Sequence, residues 1–227
     1  MPGSDWFVRR PRVMTSDECQ MLATRVYEAR ADWTPCFDGV QFTLGRAYYT
    51  HLEEGRAPEY FAAAGASDAL VERALPGLQA RVRTLLAELV CGPVIPRSAW
   101  CGPGVHIFPA GDWLAHNGGD IHFDTEGLGD DADAARLPAL SAILMLQPPV
   151  RGGGLRLWDA RWDGGDDADE PALAARVPST VVDYAAGDLV VIDSYRLHQI
   201  QPFNGDRDRI SVTAHLIWSD GTWHCWF

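Results

Sequence analysis

The sequence predicts an α+β fold: helices first, then an antiparallel double sheet of the jelly-roll kind. Three observations predict it. The first ninety residues carry apolar positions at helical spacing between recognisable start and stop signals. From about residue 97 the texture changes to short apolar runs punctuated by Gly, Pro and Asp. No internal repeat or low-complexity linker interrupts the chain, so the 227 residues are expected to form one domain, helical over about 1–96 and with its jelly-roll core over about 97–227.

In chain order, "TSDECQMLATRVYEARADW" opens with a capping-box pattern, Thr15 to Glu18, and continues as an amphipathic helix. "LGRAYYTHLEEG" is polar and aromatic; packing of Tyr48 and Tyr49 on the core is expected, with Arg46 and Tyr49 as residues able to reach a ligand. "SDALVERALPGLQARVRTLLAELV" predicts a helix capped by Ser67, kinked or split at Pro76–Gly77, and stopped by "CGP" at 91–93. The strands expected after it are "GVHIFPAG", "LSAILMLQPP", "GGLRLWDA", "STVVDY", "GDLVVIDSY" and "RISVTAHLIW". Two acidic stretches, "GLGDDADAA" and "DGGDDADE", lack the spacing of a calcium loop and read as solvated loops. The closing "SDGTWHCWF" reads as a packed tail.

Bulk properties narrow the function classes. A formal net charge of −12 argues against a nucleic-acid partner, which needs clustered positive charge. All nineteen basic residues are Arg, which fits coding bias in a GC-rich genome. The five cysteines are odd in number and widely spaced, which fits a reducing cytoplasm better than a disulfide framework. No apolar run approaches membrane-spanning length, and the N-terminus lacks a signal-like apolar region. Nine Trp suggest thick packing or an aromatic-lined pocket for a small molecule.

The chemistry lies in a separated set of residues. On an extended segment, His122 and Asp124 in "DIHFDTEG" leave the same face. His198 follows an apolar strand in "GDLVVIDSYRLHQIQPF". Asn204–Asp206 suit a hairpin turn, and Arg209 and Ser211 then share a face of the next strand, "RISVTAH". Two imidazoles and one carboxylate on one side of a metal leave other positions open, which suits Fe(II) that binds a cosubstrate and oxygen together. A bidentate 2-oxo acid fills two of them. Its distal carboxylate requires a permanently charged, two-toothed donor, which Arg209 provides and Lys could not. The hydroxyl of Ser211 adds a neutral hydrogen bond.

"HFD", "GDLVVIDSYRLHQIQPF" and "RISVTAH" together resemble the iron(II)/2-oxoglutarate-dependent dioxygenases, particularly their prolyl-hydroxylase-like branch, over about residues 104–217. The resemblance implies a double-stranded β-helix with the metal at its open mouth. It implies Fe(II) on His122, Asp124 and His198, 2-oxoglutarate on Arg209 and Ser211, O2 as cosubstrate, and release of succinate and CO2. Family members that halogenate replace the metal carboxylate with Gly or Ala; Asp124 is present, so the resemblance implies hydroxylation or a related oxidation. Desaturation and cyclisation begin with the same hydrogen abstraction and stay open. So do a cupin-like metal enzyme without 2-oxoglutarate and a non-enzymatic ligand-binding jelly roll. In the related branch a polar or aromatic residue before the metal motif contacts the cosubstrate; Phe108 stands where a Tyr would be sought. His106, Trp113, His116 and Asn117 are candidate substrate residues near the mouth, while His215 is expected to be a satisfied core histidine. The expected substrate is an amino acid or natural-product intermediate, free or tethered to a carrier protein. The sequence says nothing of oligomeric state.

Overall fold

The computed structural model describes residues 6–128, 137–164 and 169–227. The acidic stretches at 127–135 and 163–170 therefore lie largely outside the described residues.

Two sheets face each other. The described strands of the large sheet run in the order β1 (Phe7–Arg10), β10 (Leu189–Asp193), β6 (Ala139–Gln147), β13 (Arg209–Ser219), β5 (Gly104–Phe108), β3 (Gln41–Leu44) and β2 (Thr34–Cys36). β14 (Thr222–Trp226) takes the same edge of β13 as β5 but further along it, and pairs in parallel with β4 (Val94–Pro96). The small sheet has the order β11 (Arg196–Ile200), β8 (Leu155–Arg161), β9 (Ser179–Val182), with a two-stranded ribbon of β7 (Arg151–Gly152) and β12 (Phe203–Asn204) beside it. Ile143, Val190 and Ile192 of the large sheet pack on Leu155, Leu157 and Val182 of the small one. This is the jelly-roll core expected from the sequence, and all six strands read there are present.

The helices cover the outer face of the large sheet. α1 (Ser16–Glu28) starts at a complete capping box: Glu18 N–H donates to Thr15 Oγ1 at 3.2 Å, and Thr15 N–H donates to Glu18 Oε2 at 2.8 Å. Its Cys19, Leu22, Ala23 and Val26 join Leu78, Val82 and Leu86 of α4 (Leu78–Val90) in one core with the even-numbered residues of β6 and β13. Between them lie α2 (Tyr48–Glu53) and α3 (Ala57–Ala74). α5 (Trp113–Asn117) and α6 (Glu170–Ala174) are short helices between strands. Among the described residues no helix is long and apolar enough to cross a membrane, and all five cysteines are free.

Three expectations require correction. Residues 1–96 are not only helical: β1 to β4 come from this part and extend the large sheet. These strands have three or four residues each, too few for a period of two to show. Ser67 is not an N-cap; α3 begins ten residues earlier, with a proline in its first turn, and buries Ser67 in its interior, where its Oγ accepts the Arg46 N–H. The break at Pro76–Gly77 is real, with Gly77 at φ +76° separating α3 from α4. Finally, β11 and β13 do not form a hairpin. β11 pairs with β8 and β13 with β6 and β5, so the chain crosses from the small sheet to the large one between His198 and Arg209.

Candidate active site

His122 and Asp124 lie on an irregular segment, not on a strand. The chain from Gly119 to Asp124 runs alongside β11, with Gly119 N–H on Ile200 O (3.0 Å), His122 and His198 exchanging both main-chain bonds (3.0 and 2.9 Å), and Asp124 N–H on Ser194 O (2.9 Å). This single bridge sets His122 directly opposite His198, with ring centroids 4.3 Å apart. Asp124 closes the triangle: its Oδ1 is 3.4 Å from His122 Nε2 and its Oδ2 is 3.4 Å from His198 Nε2. One ligand atom from each of the three falls within 4.8 Å of the others.

The tautomers are fixed by main-chain acceptors. His122 Nδ1 donates to Asp120 O and His198 Nδ1 donates to Arg196 O, both at 2.8 Å. A carbonyl can only accept, so Nδ1 carries a proton in each ring and Nε2 turns toward the triangle. Burial opposes protonation of His122, but the hydrogen bond and charge of Asp124 push it up to about 9, so its Nε2 sheds a proton when it takes a metal. Without a cation, burial disfavours ionisation of Asp124, but His198 and then His122 and His215 hold it well below the usual carboxylate range. Burial likewise holds His198 down to about 4, against the pull of Asp124. Two nitrogen lone pairs and an ionised carboxylate converging from one side fit a first-row divalent metal with open positions.

Arg209 and Ser211 come from β13, on the opposite sheet. Arg209 is 1% exposed, its Nε donates to Gly153 O at 3.0 Å and its Nη1 to Ser211 Oγ at 3.2 Å. Gly153 adopts φ +70° in the turn that presents this carbonyl. The rings of Phe108 and Tyr184 flank the guanidinium, 5.4 and 5.5 Å from Cζ. Asp208, the sequence neighbour able to neutralise it, is engaged elsewhere, accepting from Ala110 N–H (2.8 Å) and Tyr27 Oη (3.0 Å). Among the described residues no carboxylate forms an ion pair with Arg209. A buried cation with no counter-charge and remaining donors is a site for an anion.

The triangle and Arg209 open on one cavity of about 590 Å³ between the sheets. Of the substrate candidates read from sequence, His106 and Trp113 line it, and His116 and Asn117 do not. Those two turn back on their own helix, His116 Nδ1 donating to Asp112 O and Asn117 Nδ2 to Trp113 O, both 2.8 Å. Phe108 lines the wall beside Arg209. Tyr49 also lines the cavity, its phenol oxygen accepting from Gln41 Nε2, whereas Arg46 reaches away to His51 at 2.8 Å. The closing segment is packed: β14 pairs with β13, and the Phe227 ring supports His106 at 4.8 Å.

Sequence reading missed several residues. His215 is no isolated core histidine: Nδ1 lies 3.9 Å from Asp124 Oδ2 and 3.1 Å from Ser141 Oγ. Its place on the Arg209–Ser211–Thr213 face was the available signal. Glu53, Glu126 and Tyr184 carried none, because tertiary contacts bring them in. Burial and then Asp124 push Glu126 up to about 7, and burial pushes Tyr184 up to about 12 against the pull of Arg209.

Comparison with known proteins agrees with this geometry. A family model described as the carrier-protein-independent halogenase WelO5 matches residues 132–227. A search of curated proteins finds no match. Among solved structures, the non-heme α-ketoglutarate-dependent epimerase SnoN from nogalamycin biosynthesis is 17% identical, with a TM-score of 0.60 over 96% of this chain and 82% of its own. SnoN has also been solved in complex with Fe3+ and α-ketoglutarate. AviO1 from Streptomyces viridochromogenes Tue57 is 16% identical (TM-score 0.60, 96% and 91% covered). An N-substituted L-amino acid dioxygenase from Burkholderia ambifaria AMMD is 13% identical (TM-score 0.59, 98% and 86% covered). At these identities the structures establish a shared fold. Together with the family model, which covers residues 132–227, and the His-Asp-His set, they make the chain similar to the iron(II)/2-oxoglutarate-dependent oxygenases, enzymes that work with Fe(II), 2-oxoglutarate and O2.

Proposed function

We propose that this enzyme oxidises an unactivated carbon of a small molecule, by hydroxylation in the first instance, with His122, Asp124 and His198 as iron ligands and Arg209 and Ser211 as the cosubstrate anchor. The observation that carries this reading is the cavity itself. Three metal-competent donors on one sheet side and a buried, uncompensated guanidinium on the other face the same space. When bound, the ferrous ion supplies oxygen activation coupled to decarboxylation of 2-oxoglutarate to succinate and CO2.

The chain supplies the rest. Main-chain carbonyls hold both imidazoles in the metal-binding tautomer. Arg209 takes the distal carboxylate of the diacid with charge-assisted hydrogen bonds, and Ser211 adds a hydroxyl on the same face. Ile143, Leu155 and Ile200 line the space with apolar surface, which excludes water from the reacting carbon.

Asp124 bears on the choice among oxidations. The matched family is named for a halogenase, but residues 132–227 do not include the position of Asp124. A carboxylate there occupies the ligand position that halide would need, which favours oxygen insertion. Desaturation and cyclisation remain alternatives on the same site. Natural-product intermediates are the favoured substrate class, since SnoN serves nogalamycin biosynthesis; the carrier-independent description of the matched family supports a free substrate over a tethered one.

Anaerobic addition of Fe(II) and 2-oxoglutarate is expected to give the weak visible charge-transfer band of a chelated 2-oxo acid. His198→Ala should abolish it. Arg209→Ala should retain metal binding but raise the cosubstrate concentration for half-saturation about 100-fold, the loss of a bidentate charge-assisted pair. Absence of the band in the wild-type protein would refute the reading. Turnover unaffected by Arg209→Ala would point instead to a cupin-like enzyme without 2-oxoglutarate.

A further inference from the structure

The cavity wall carries an unbalanced charge. Three carboxyl groups line it besides Asp124: Glu53 at the end of α2, Asp120, and Glu126, which burial leaves only partly ionised at neutral pH, the last two flanking the segment of His122 and Asp124. Glu126 is half-buried; Glu53 and Asp120 stand exposed at the mouth. Among the described residues none of the three forms an ion pair with an arginine, and Arg209 is the sole guanidinium on the wall. On the iron and 2-oxoglutarate reading, the loaded centre does not offset them. The divalent cation balances the diacid, Arg209 balances Asp124, and the ligating imidazoles are neutral.

A second, independent feature calls for a ligand. His106 is 6% exposed and lines the same cavity; its Nδ1 meets Thr213 Oγ1 at 3.1 Å, and its Nε2 is buried without a hydrogen-bond partner. In the tautomer that donates Nδ1–H to Thr213, Nε2 is an acceptor left unmatched beside the cavity. Beside it Phe37, Tyr49 and Trp113 give aromatic surface, Trp113 with 57% of its area exposed. Rings and carboxylates together are the surroundings that bind an organic ammonium, through cation–π contact and charge-assisted hydrogen bonds.

We propose that the substrate carries a cationic nitrogen, received by Glu53, Asp120 and Glu126, with its apolar part on the aromatic wall. This rests on the iron and 2-oxoglutarate reading above and narrows its substrate class. The carboxylates hold the charged end at the mouth, so that a carbon further along the molecule lies beneath the metal site.

The test uses three matched probes: phenethylamine, 2-phenylethanol and 3-phenylpropionate. Each is titrated calorimetrically into anaerobic protein loaded with Fe(II) and 2-oxoglutarate. The amine is expected to bind at least tenfold tighter than the alcohol, and the acid weakest. In the Glu53→Gln/Glu126→Gln variant the amine should lose most of that advantage, with the charge-transfer band and the melting temperature retained. Equal binding of the three, preference for the acid, no binding by any of them, or an amine preference that survives in the variant would overturn the proposal. If the band forms and the amine has no advantage, this inference alone fails; if the band never forms, the iron and 2-oxoglutarate reading fails with it.

Discussion

The two faces of the large sheet are built from the same strands and do opposite work. On β13, Ile210, Val212, Ala214 and Leu216 point outward into a core closed by α1 and α4, while Arg209, Ser211, Thr213 and His215 point inward and line the cavity. β6 repeats the pattern, with Leu140, Ala142, Leu144 and Leu146 outside and Ser141 and Ile143 inside. β5 does the same with Val105 and Ile107 against His106 and Phe108. One face thus stabilises the fold by removing apolar area from water, and the other gives up part of that stabilisation to hold polar groups in a cavity. Such a division lets the site change without dismantling its support.

The comparison can be tested where its two halves differ most. Leu144→Ala, on the outer face and 1% exposed, should cost about 4 kcal/mol through lost transfer energy and the cavity left behind, measured by denaturant titration. Its effect on the charge-transfer band, read at a temperature where the variant is folded, should be small.

The next effect is at the sheet edge. Asp188, with a side chain 1% exposed, accepts from Arg9 Nη2 (2.5 Å), Arg12 N–H (3.0 Å) and Ala185 N–H (2.9 Å), tying β1 and the preceding turn to β10. Burial opposes its ionisation, but the Ala185 N–H, Arg9 and the Arg12 N–H hold it below the usual carboxylate range. A depressed folded pKa contributes stability that is present above the unfolded value, about 3.9, and is lost as pH falls through the folded one. Asp188→Asn should therefore cost about 2 kcal/mol at neutral pH and flatten the acid limb of the stability curve below about pH 4, followed by melting temperature against pH.

The smallest expected effect is the most telling. Arg209→Met, on the inner face, should change unfolding free energy by less than about 1 kcal/mol, or raise it, because a desolvated and unpaired cation is replaced by apolar volume. A loss comparable to that of Leu144→Ala would mean that the inner face is also structural, and would break the division between the faces.

This division also explains what could be read in advance. The alternation of β13, β6 and β10 is long enough to show a period of two, which made the fold legible, and the ordered set His122, Asp124, His198, Arg209 and Ser211, spread over one loop, β11 and β13, is brought by the structure to one cavity. β2 (Thr34–Cys36) and β4 (Val94–Pro96) were not, since three residues including a proline carry no strand signal and are recruited by an existing edge. The expected hairpin failed because turn chemistry at Asn204–Asp206 fixes a bend and leaves the partner of each strand undecided. His215, Glu53 and Glu126 owe their place at the site to tertiary structure, while His116 and Asn117, close in sequence, are carried off the wall by a single helical turn.

The two imidazoles facing Asp124 are steered by carbonyl oxygens of their own backbone, two residues upstream in each case. A backbone acceptor has no codon of its own, so no substitution at Asp120 or Arg196 removes it while the local path of the chain persists. Descendants of this sequence can therefore exchange the side chains around the mouth without having to rebuild the aim of these two imidazoles.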